Sequence, residues 1–496
     1  MPVTPLHEKK AGLAYWAQRA LDECDKASQD FAPDPVHDLR VAIRRCRSMA
    51  DGFLSVDPDP EWKQMKRLGK GLFSSLGQLR DTQVMIEWVQ RLSADHDAVR
   101  HTLLYTLARN ESAQKTAAQE ALQNFDRKRW LALNTRLAGR TGRVPLEGLV
   151  FQHLALERLL EARALHRQAL RNRTQVGYHQ LRIGIKRFRY TVENFLPQRH
   201  EKWARDLRDL QDALGEVHDL DVLRASIRGH AEISAEDRER WYEKIAAERQ
   251  KRLDLYRGKM LGKNSLWHVW RADLPGGALL EKAALEKLQT WASFLDPDTP
   301  HSAHVTRIAL QLYDALAQNG VLAGNPEHRR ILEAAGIVHE VGRSKGSAGH
   351  LKRGYRMIAA FKPPLGWTEE EMHGVAMVAR YHRGALPEAR ASYFVGLSAK
   401  RRSELLPLLG ILRLANAFDA SHEQTVTRIS VERKDGVLNI YGQGLENISA
   451  TAERLARARY LLEAVSGLAI RIRPLLAKAA TSSHLPGQAT HALGKS

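Results

Sequence analysis

Apolar residues recur three and four positions apart along most of this chain, which is rich in Leu, Ala, Arg and Glu. That is the period of amphipathic helices with one buried face, so the spacing predicts a mainly α protein. Leu274-Pro275-Gly276-Gly277 interrupts the periodicity, and Asp296-Pro297-Asp298-Thr299-Pro300 is a second proline-marked break before a new helix. A chain of 496 residues is long enough for two or three domains, and these breaks supply a seam. One stretch departs from the helical period. Residues 426–431 alternate, Asp435-Gly436 supplies a hairpin turn, and residues 437–441 alternate back. Residues 469–473 read as a third strand after a helix over 451–466, and residues 477–496 as a loose tail of Ala, Ser, Thr, Gly and Pro.

The polar side of the helical pattern contains an internal repeat. His37-Asp38-Leu39-Arg40-Val41-Ala42-Ile43-Arg44-Arg45-Cys46-Arg47 returns as His179-Gln180-Leu181-Arg182-Ile183-Gly184-Ile185-Lys186-Arg187-Phe188-Arg189, with every basic position kept. On a helix turning about 100° per residue, positions three, seven and ten after the histidine fall back near its own direction. His37, Arg40, Arg44 and Arg47 therefore form one stripe, and His179, Arg182, Lys186 and Arg189 another. Neighbouring like charges on a helix repel by a few tenths of a kcal/mol per pair, so a cationic stripe built twice calls for an anionic partner. Arg45 and Arg187 add to the same basic segments.

The segment after each stripe is duplicated as well. Leu76-Gly77, Asp81 and Val84 reappear as Leu214-Gly215, Asp219 and Val222, while Arg67 and Lys70 correspond to Arg205 and Arg208. Two acids in such company read as structural partners for arginines rather than as catalytic groups. His37 and His179 suit either positioning of a neighbouring side chain or direct phosphate contact. This pattern, a histidine leading a basic amphipathic helix and then a Leu-Gly-x-x-x-Asp helix, resembles the CHAD domain, named for its histidines and all-helical fold. The resemblance implies a pseudo-symmetric pair of helical bundles over residues 1–272, with repeats of about 1–140 and 141–272. It also implies a positive surface that binds inorganic polyphosphate.

Composition supports anion binding without naming the anion. Lys+Arg number 76 against 57 Asp+Glu, a formal net charge of +19, and the excess runs through both halves. Such a charge attracts nucleic acid, acidic membranes and polyphosphate alike. Two cysteines, Cys24 and Cys46, argue against a disulfide framework and for a reducing compartment. The N-terminal segment lacks the apolar core of a signal peptide, and no run approaches eighteen apolar residues. The expectation is a cytoplasmic protein without a membrane partner, gathered on polyphosphate granules if its ligand is stored there.

The second half opens with His301-Ser302 at the start of an amphipathic helix. Ile337-Val338-His339-Glu340-Val341-Gly342, Tyr381-His382-Arg383 and Leu412-Arg413-Leu414-Ala415-Asn416-Ala417-Phe418-Asp419 come after it. Their order resembles an HD-type helical domain, closest to the C-terminal portion of the exopolyphosphatase and guanosine pentaphosphate phosphohydrolase family, over residues 280–475. The hairpin is part of that resemblance. In metal-binding HD domains a histidine, a His-Asp pair and a distant aspartate hold a divalent cation that activates water. Carried over, these positions fall on His301, His339, Glu340 and Asn416. Glutamate lengthens one ligand arm and asparagine removes a charge that a hard cation needs, so no metal and no cofactor is expected. Arg343, Lys345, His350, Lys352, Arg353, His382 and Arg383 cluster around these motifs as a possible second phosphate site.

The leading expectation is an accessory, non-catalytic polyphosphate-binding protein. The first alternative is an HD-type phosphohydrolase acting on polyphosphate or a guanosine polyphosphate. The second is nucleic-acid binding, against which the stripes lack interleaved aromatics for stacking; Phe188 and Tyr190 are the close candidates and read as core.

Overall fold

The structure is a computed structural model and describes residues 12–386, 397–445 and 449–475; the expected tail at 477–496 lies outside them. Two compact units emerge. One runs up to Phe294 and takes in Pro364–Gly366, and the other holds the rest. Among the described residues the chain is mainly α, with one small sheet near the C-terminus.

The first unit contains α1 (Leu13–Asp30), α2 (Pro33–Phe53), α3 (Pro60–Leu92), α4 (Ala98–Gln123) and α5 (Arg127–Thr141). They are followed by α6 (Leu149–Asn172), α7 (Gln175–Phe195), α8 (Pro197–Arg228), α9 (Ala235–Met260), α10 (Leu266–Ala272) and α11 (Ala278–Ser293). The repeat is visible in the lengths. The stripe helices α2 and α7 have 21 residues each, α3 and α8 have 33 and 32, and α4 and α9 have 26 each. Starts are set locally: Asp59 caps α3 by accepting from the Glu61 amide at 2.9 Å, Pro60 fills the first turn, and Thr174 caps α7 through the Gly177 amide at 3.1 Å.

Packing draws the two stripe helices together. Phe53 at the end of α2 stacks on Trp62 of α3 with ring centroids 4.9 Å apart and meets Phe151 of α6 and Phe195 of α7 edge-on at 5.5 Å. Gly52 makes this possible, because a Cβ there would lie 2.3 Å from the Phe195 ring. A second apolar cluster, including Trp88, Val89, Leu223 and Trp241, ties together the far ends of α3, α4, α8 and α9. Joined at the Phe53–Phe195 contact, α2 and α7 run beside each other with their basic faces directed into one space.

The second unit contains α12 (Thr299–Gln318), α13 (Pro326–Val338), a short 3₁₀ turn (Val341–Lys345), α14 (His350–Ala359), α15 (Glu369–Arg380) and α16 (Ala399–Phe418). The strands β1 (Arg428–Lys434) and β2 (Val437–Gln443) come next, then α17 (Ser449–Ser466) and β3 (Ala469–Pro474). Asp298 caps α12 by accepting from the His301 amide at 3.2 Å. Strands β1 and β2 pair antiparallel with Val431 opposite Ile440. Asp435 and Gly436 both have positive φ, 50° and 73°, as a two-residue hairpin of this hand requires. Helix α17 then carries the chain over so that β3 joins β2 in parallel, with Ile440 opposite Ile472.

Candidate functional site

A cavity of about 450 Å³ opens between the stripe helices of the first unit. Arg40, Arg44 and Arg47 reach it from α2, and Arg182, Lys186 and Arg187 from α7. Lys66 and Arg158 complete the cationic wall, against two carboxylates, Asp51 and Asp81. Asp51 is occupied, accepting from Lys66 and, at 3.1 Å, from Arg158. Asp81 opens toward Arg40, Arg182 and Lys186, with burial raising its carboxyl and those three cations opposing the rise. Among the described residues Arg44, Arg182 and Lys186 form no ion pair, and the buried Nε of Arg182 has no hydrogen-bond partner.

The price of this crowding shows in the proton affinities. Burial, reinforced by Arg182 and Arg44, pushes the Lys186 ammonium down to about 7. Burial likewise lowers Arg40 to about 10. Asp219, which does not line the cavity, is raised to about 6 by burial, with Arg182 pulling the other way. His179 and His218 face each other with Nδ1 atoms 3.4 Å apart, and burial holds His218 down to about 4, so neither carries the proton that would add to the cationic wall. The aromatic faces are covered: Arg40 and Arg47 lie over Phe73 at 4.9 and 4.8 Å from the centroid, and Arg44 over Tyr190 at 5.4 Å.

In the second unit the motif residues converge. His301 of α12 bonds Asp419 Oδ2 through Nδ1 at 2.7 Å, and its Nε2 lies 3.2 Å from Asn416 Oδ1 of α16. His339 comes directly after α13 and donates Nδ1–H to the Gly336 carbonyl at 2.7 Å; burial depresses its ring to about 3. Glu340 beside it stays ionised well below the usual carboxylate range: burial would raise it, but the imidazoles of His382 and His339 outweigh that cost. A cavity of about 520 Å³ lies over this cluster and is lined by Arg383, Arg413, Arg454 and Arg457 among others. These cations are already engaged. Arg383 donates to His350 Nε2, Arg413 to the Tyr381 and Gly384 carbonyls, Arg454 to the Ala420 carbonyl and Arg457 to Glu453.

Residues 14–228 match the family model for the CHAD domain, and residues 283–445 match that for Ppx/GppA phosphatase, domain III. The chain joins a CHAD domain to a Ppx/GppA domain III. Among solved structures it is similar to the CHAD domain from the plant Ricinus communis, at 21% identity over 52% of this chain and 88% of that one, with a TM-score of 0.37. No curated protein matches it. Both domain types are polyphosphate-related.

Within the CHAD domain the structure sorts the basic residues picked out by sequence. Arg40, Arg44, Arg47, His179, Arg182, Lys186 and Arg187 line the cavity, Arg187 also reaching Glu161 at 3.0 Å. His37 stands exposed at the start of α2 near Arg44 and Arg80. Arg45 turns the other way, ion-paired with Glu193, bonded to Asn194 at 2.9 Å and set over Trp16. Arg189 shares that acid at 3.8 Å. Arg67, Lys70, Arg205 and Arg208 are exposed on α3 and α8 and do not line the cavity. Sequence reasoning missed Lys66, Arg158 and His218. His218 adjoins the repeated Asp219 and could have been found there, whereas Lys66 and Arg158 have no counterpart in the other repeat.

In the domain III region Arg383 alone of the proposed phosphate contacts is a cation on the cavity wall. His350 and His382 are buried, Arg343 lies 3.8 Å from Glu340, and Lys345 and Lys352 are exposed away from the cavity. Arg353 donates to the Gly342, Gly346 and Ala348 carbonyls. Arg413, Arg454 and Arg457 were not foreseen. No helix among the described residues is long and apolar enough to cross a membrane.

Proposed function

We propose that this protein binds inorganic polyphosphate in the CHAD cavity between α2 and α7 and holds it without hydrolysing it. The observation that carries the reading is the charge imbalance there: eight cations surround two carboxylates, and only Lys66, Arg158 and Arg187 of the eight form an ion pair among the described residues. A chain of phosphates supplies closely spaced oxygens that guanidinium groups engage two at a time. Each charge-assisted hydrogen bond of this kind contributes roughly 1.5–3 kcal/mol. Nucleic acid fits less well, because base stacking needs free aromatic faces and both rings on the wall, Phe73 and Tyr190, are covered by arginines. The accessory role rests on the same chemistry: Asp51 is tied to two cations and His218 is too weak a base at neutral pH to assist proton transfer.

The test is a titration of the purified protein with long-chain polyphosphate, single-stranded RNA and a guanosine polyphosphate at one salt concentration. Polyphosphate binds tightest and no phosphate is released. Equal affinity for RNA, or release of phosphate from either phosphate compound, would reject the reading.

A further inference from the structure

We propose that the His179–His218 pair makes polyphosphate binding proton-linked: the pair takes up one proton when the chain enters the CHAD cavity, so affinity rises as pH falls. This rests on the polyphosphate reading of that cavity and adds its regulation. The first support is a difference between the repeats. Leu76-Gly77-Gln78-Leu79-Arg80-Asp81 corresponds to Leu214-Gly215-Glu216-Val217-His218-Asp219, so His218 stands where the first repeat has Arg80. In the first repeat neither partner lines the cavity: His37 is exposed near Arg80, and Arg80 donates to Glu87 at 3.1 Å. In the second, both histidines stand on the cavity wall. One repeat thus has a permanent cation held by an acid, and the other has two groups whose charge depends on pH.

The second support is the contact between the rings. Their centroids are 4.7 Å apart and their Nδ1 atoms 3.4 Å apart, so one ring donates an Nδ1–H and the other accepts with its lone pair. An added proton settles on Nε2 of the donating ring and leaves that bond in place. A second one would bring two Nδ1–H groups face to face. The pair is therefore a one-proton unit.

The surroundings decide when that proton is present. Arg182 and Lys186 of α7 bear on both rings, while Arg40 and Arg44 of α2 and Arg158 of α6 share the wall. The neighbouring acids, Asp81 of α3 and Asp219 of α8, are set against Arg182 and Lys186. From α9, Arg249 and Arg252 bond Asp221 and Glu216 of α8 at 2.8 and 2.6 Å. Neither imidazole forms an ion pair among the described residues, and burial with the two α7 cations keeps both neutral in the free protein. Phosphate oxygens reverse that balance, because a nearby opposite charge favours the protonated ring. The extra affinity is therefore present in acid and is lost as pH climbs through the value that the pair has in the complex.

The test is calorimetric titration of the full-length protein with long-chain polyphosphate from about pH 6.5 down to about pH 5, below the range in which Lys186 titrates. Buffers of differing ionisation enthalpy count the protons. One proton enters per bound site, and affinity rises about fivefold or more, within the tenfold per pH unit that a single proton permits. His179→Gln with His218→Gln abolishes the uptake while helicity is unchanged. His218→Arg, which carries the first repeat's residue into the second, gives at neutral pH the affinity that the unaltered protein reaches only in acid, and flattens the pH profile. Asp81→Asn and Asp219→Asn keep the uptake. Uptake that disappears with either aspartate and survives the histidine changes, or polyphosphate binding that takes up no proton, overturns this inference alone. Absence of binding at every pH would reject the polyphosphate reading and this inference with it.

Discussion

Around the CHAD cavity eight cations face two carboxylates in a space open to solvent, whereas the domain III region gathers three nearly buried imidazoles and a carboxylate at the floor of its own cavity. The cations over that second cluster are engaged with carbonyls, His350 or Glu453, while Arg44, Arg182 and Lys186 of the first form no direct ion pair among the described residues and share the field of Asp81. Both arrangements are costly in the bare protein, one through like-charge repulsion and the other through unmatched polar atoms. The first cost names what would relieve it, a long anion.

The largest effect should come from removing the uncompensated charges. Arg44→Gln, Arg182→Gln and Lys186→Gln together are expected to weaken polyphosphate binding by roughly a hundredfold or more, since each tenfold corresponds to about 1.4 kcal/mol. Helicity should persist, because glutamine is a good helix former. Neutralising exposed Arg67, Lys70, Arg205 and Arg208 instead should change affinity by about threefold or less, as screened surface charges do. Calorimetric titration distinguishes the two sets; similar losses from both would mean that the whole basic surface, and not the cavity, is the site.

Arg45 sharpens the contrast between a paired cation and a free one. Its removal leaves Glu193 with only the longer contacts to Arg189 and His200, at 3.8 and 3.9 Å, so Arg45→Ala should cost roughly 1–3 kcal/mol in denaturant unfolding while polyphosphate affinity stays within about twofold.

Lys186 should behave in the opposite sense. Its folded value, about 7, lies below the ordinary value near 10.4, so between these limits the unfolded chain holds the extra proton. Stability of the free protein therefore rises as pH increases across that window. Polyphosphate favours the charged ammonium, so affinity for long chains falls as pH climbs through about 7. Lys186→Met should raise the melting temperature, weaken binding severalfold and remove this pH dependence. A melting temperature that drops would show the ammonium to be structural.

The smallest effect separates the two repeats. A Cβ on Gly77 would lie 2.7 Å from Arg40 Nη1, whereas one on Gly215 meets nothing within 4 Å. Gly77→Ala should shift Arg40 and weaken binding by a few fold. Gly215→Ala should leave binding unchanged and add up to about 1 kcal/mol of helix stability.

How much of this was legible in the sequence depended on whether a feature is carried by periodicity. The two stripes, the proline-marked breaks and the Asp435-Gly436 hairpin are local patterns, and all appear in the fold. Which basic residues point into the cavity was only partly legible, because Arg189 of the second stripe turns to Glu193 while Arg187, off the stripe, lines the cavity, and packing rather than spacing decides both. Lys66 and Arg158 are distant in sequence and meet through Asp51, a convergence that helix spacing cannot encode. His382 was read as a phosphate contact because it clusters with the HD-like motifs; the burial that places it against Glu340 comes from the end of α15.

The central claim is that uncompensated cavity cations hold a polyphosphate chain, and its most direct test is the slope of log affinity against log salt. Each phosphate neutralised contributes about −0.7 for a single-stranded polyanion. Relative to the unaltered protein, the Arg44→Gln, Arg182→Gln and Lys186→Gln variant should lose about 2 from the magnitude of that slope while its circular dichroism is unchanged. An unaltered slope in the folded variant would contradict the account.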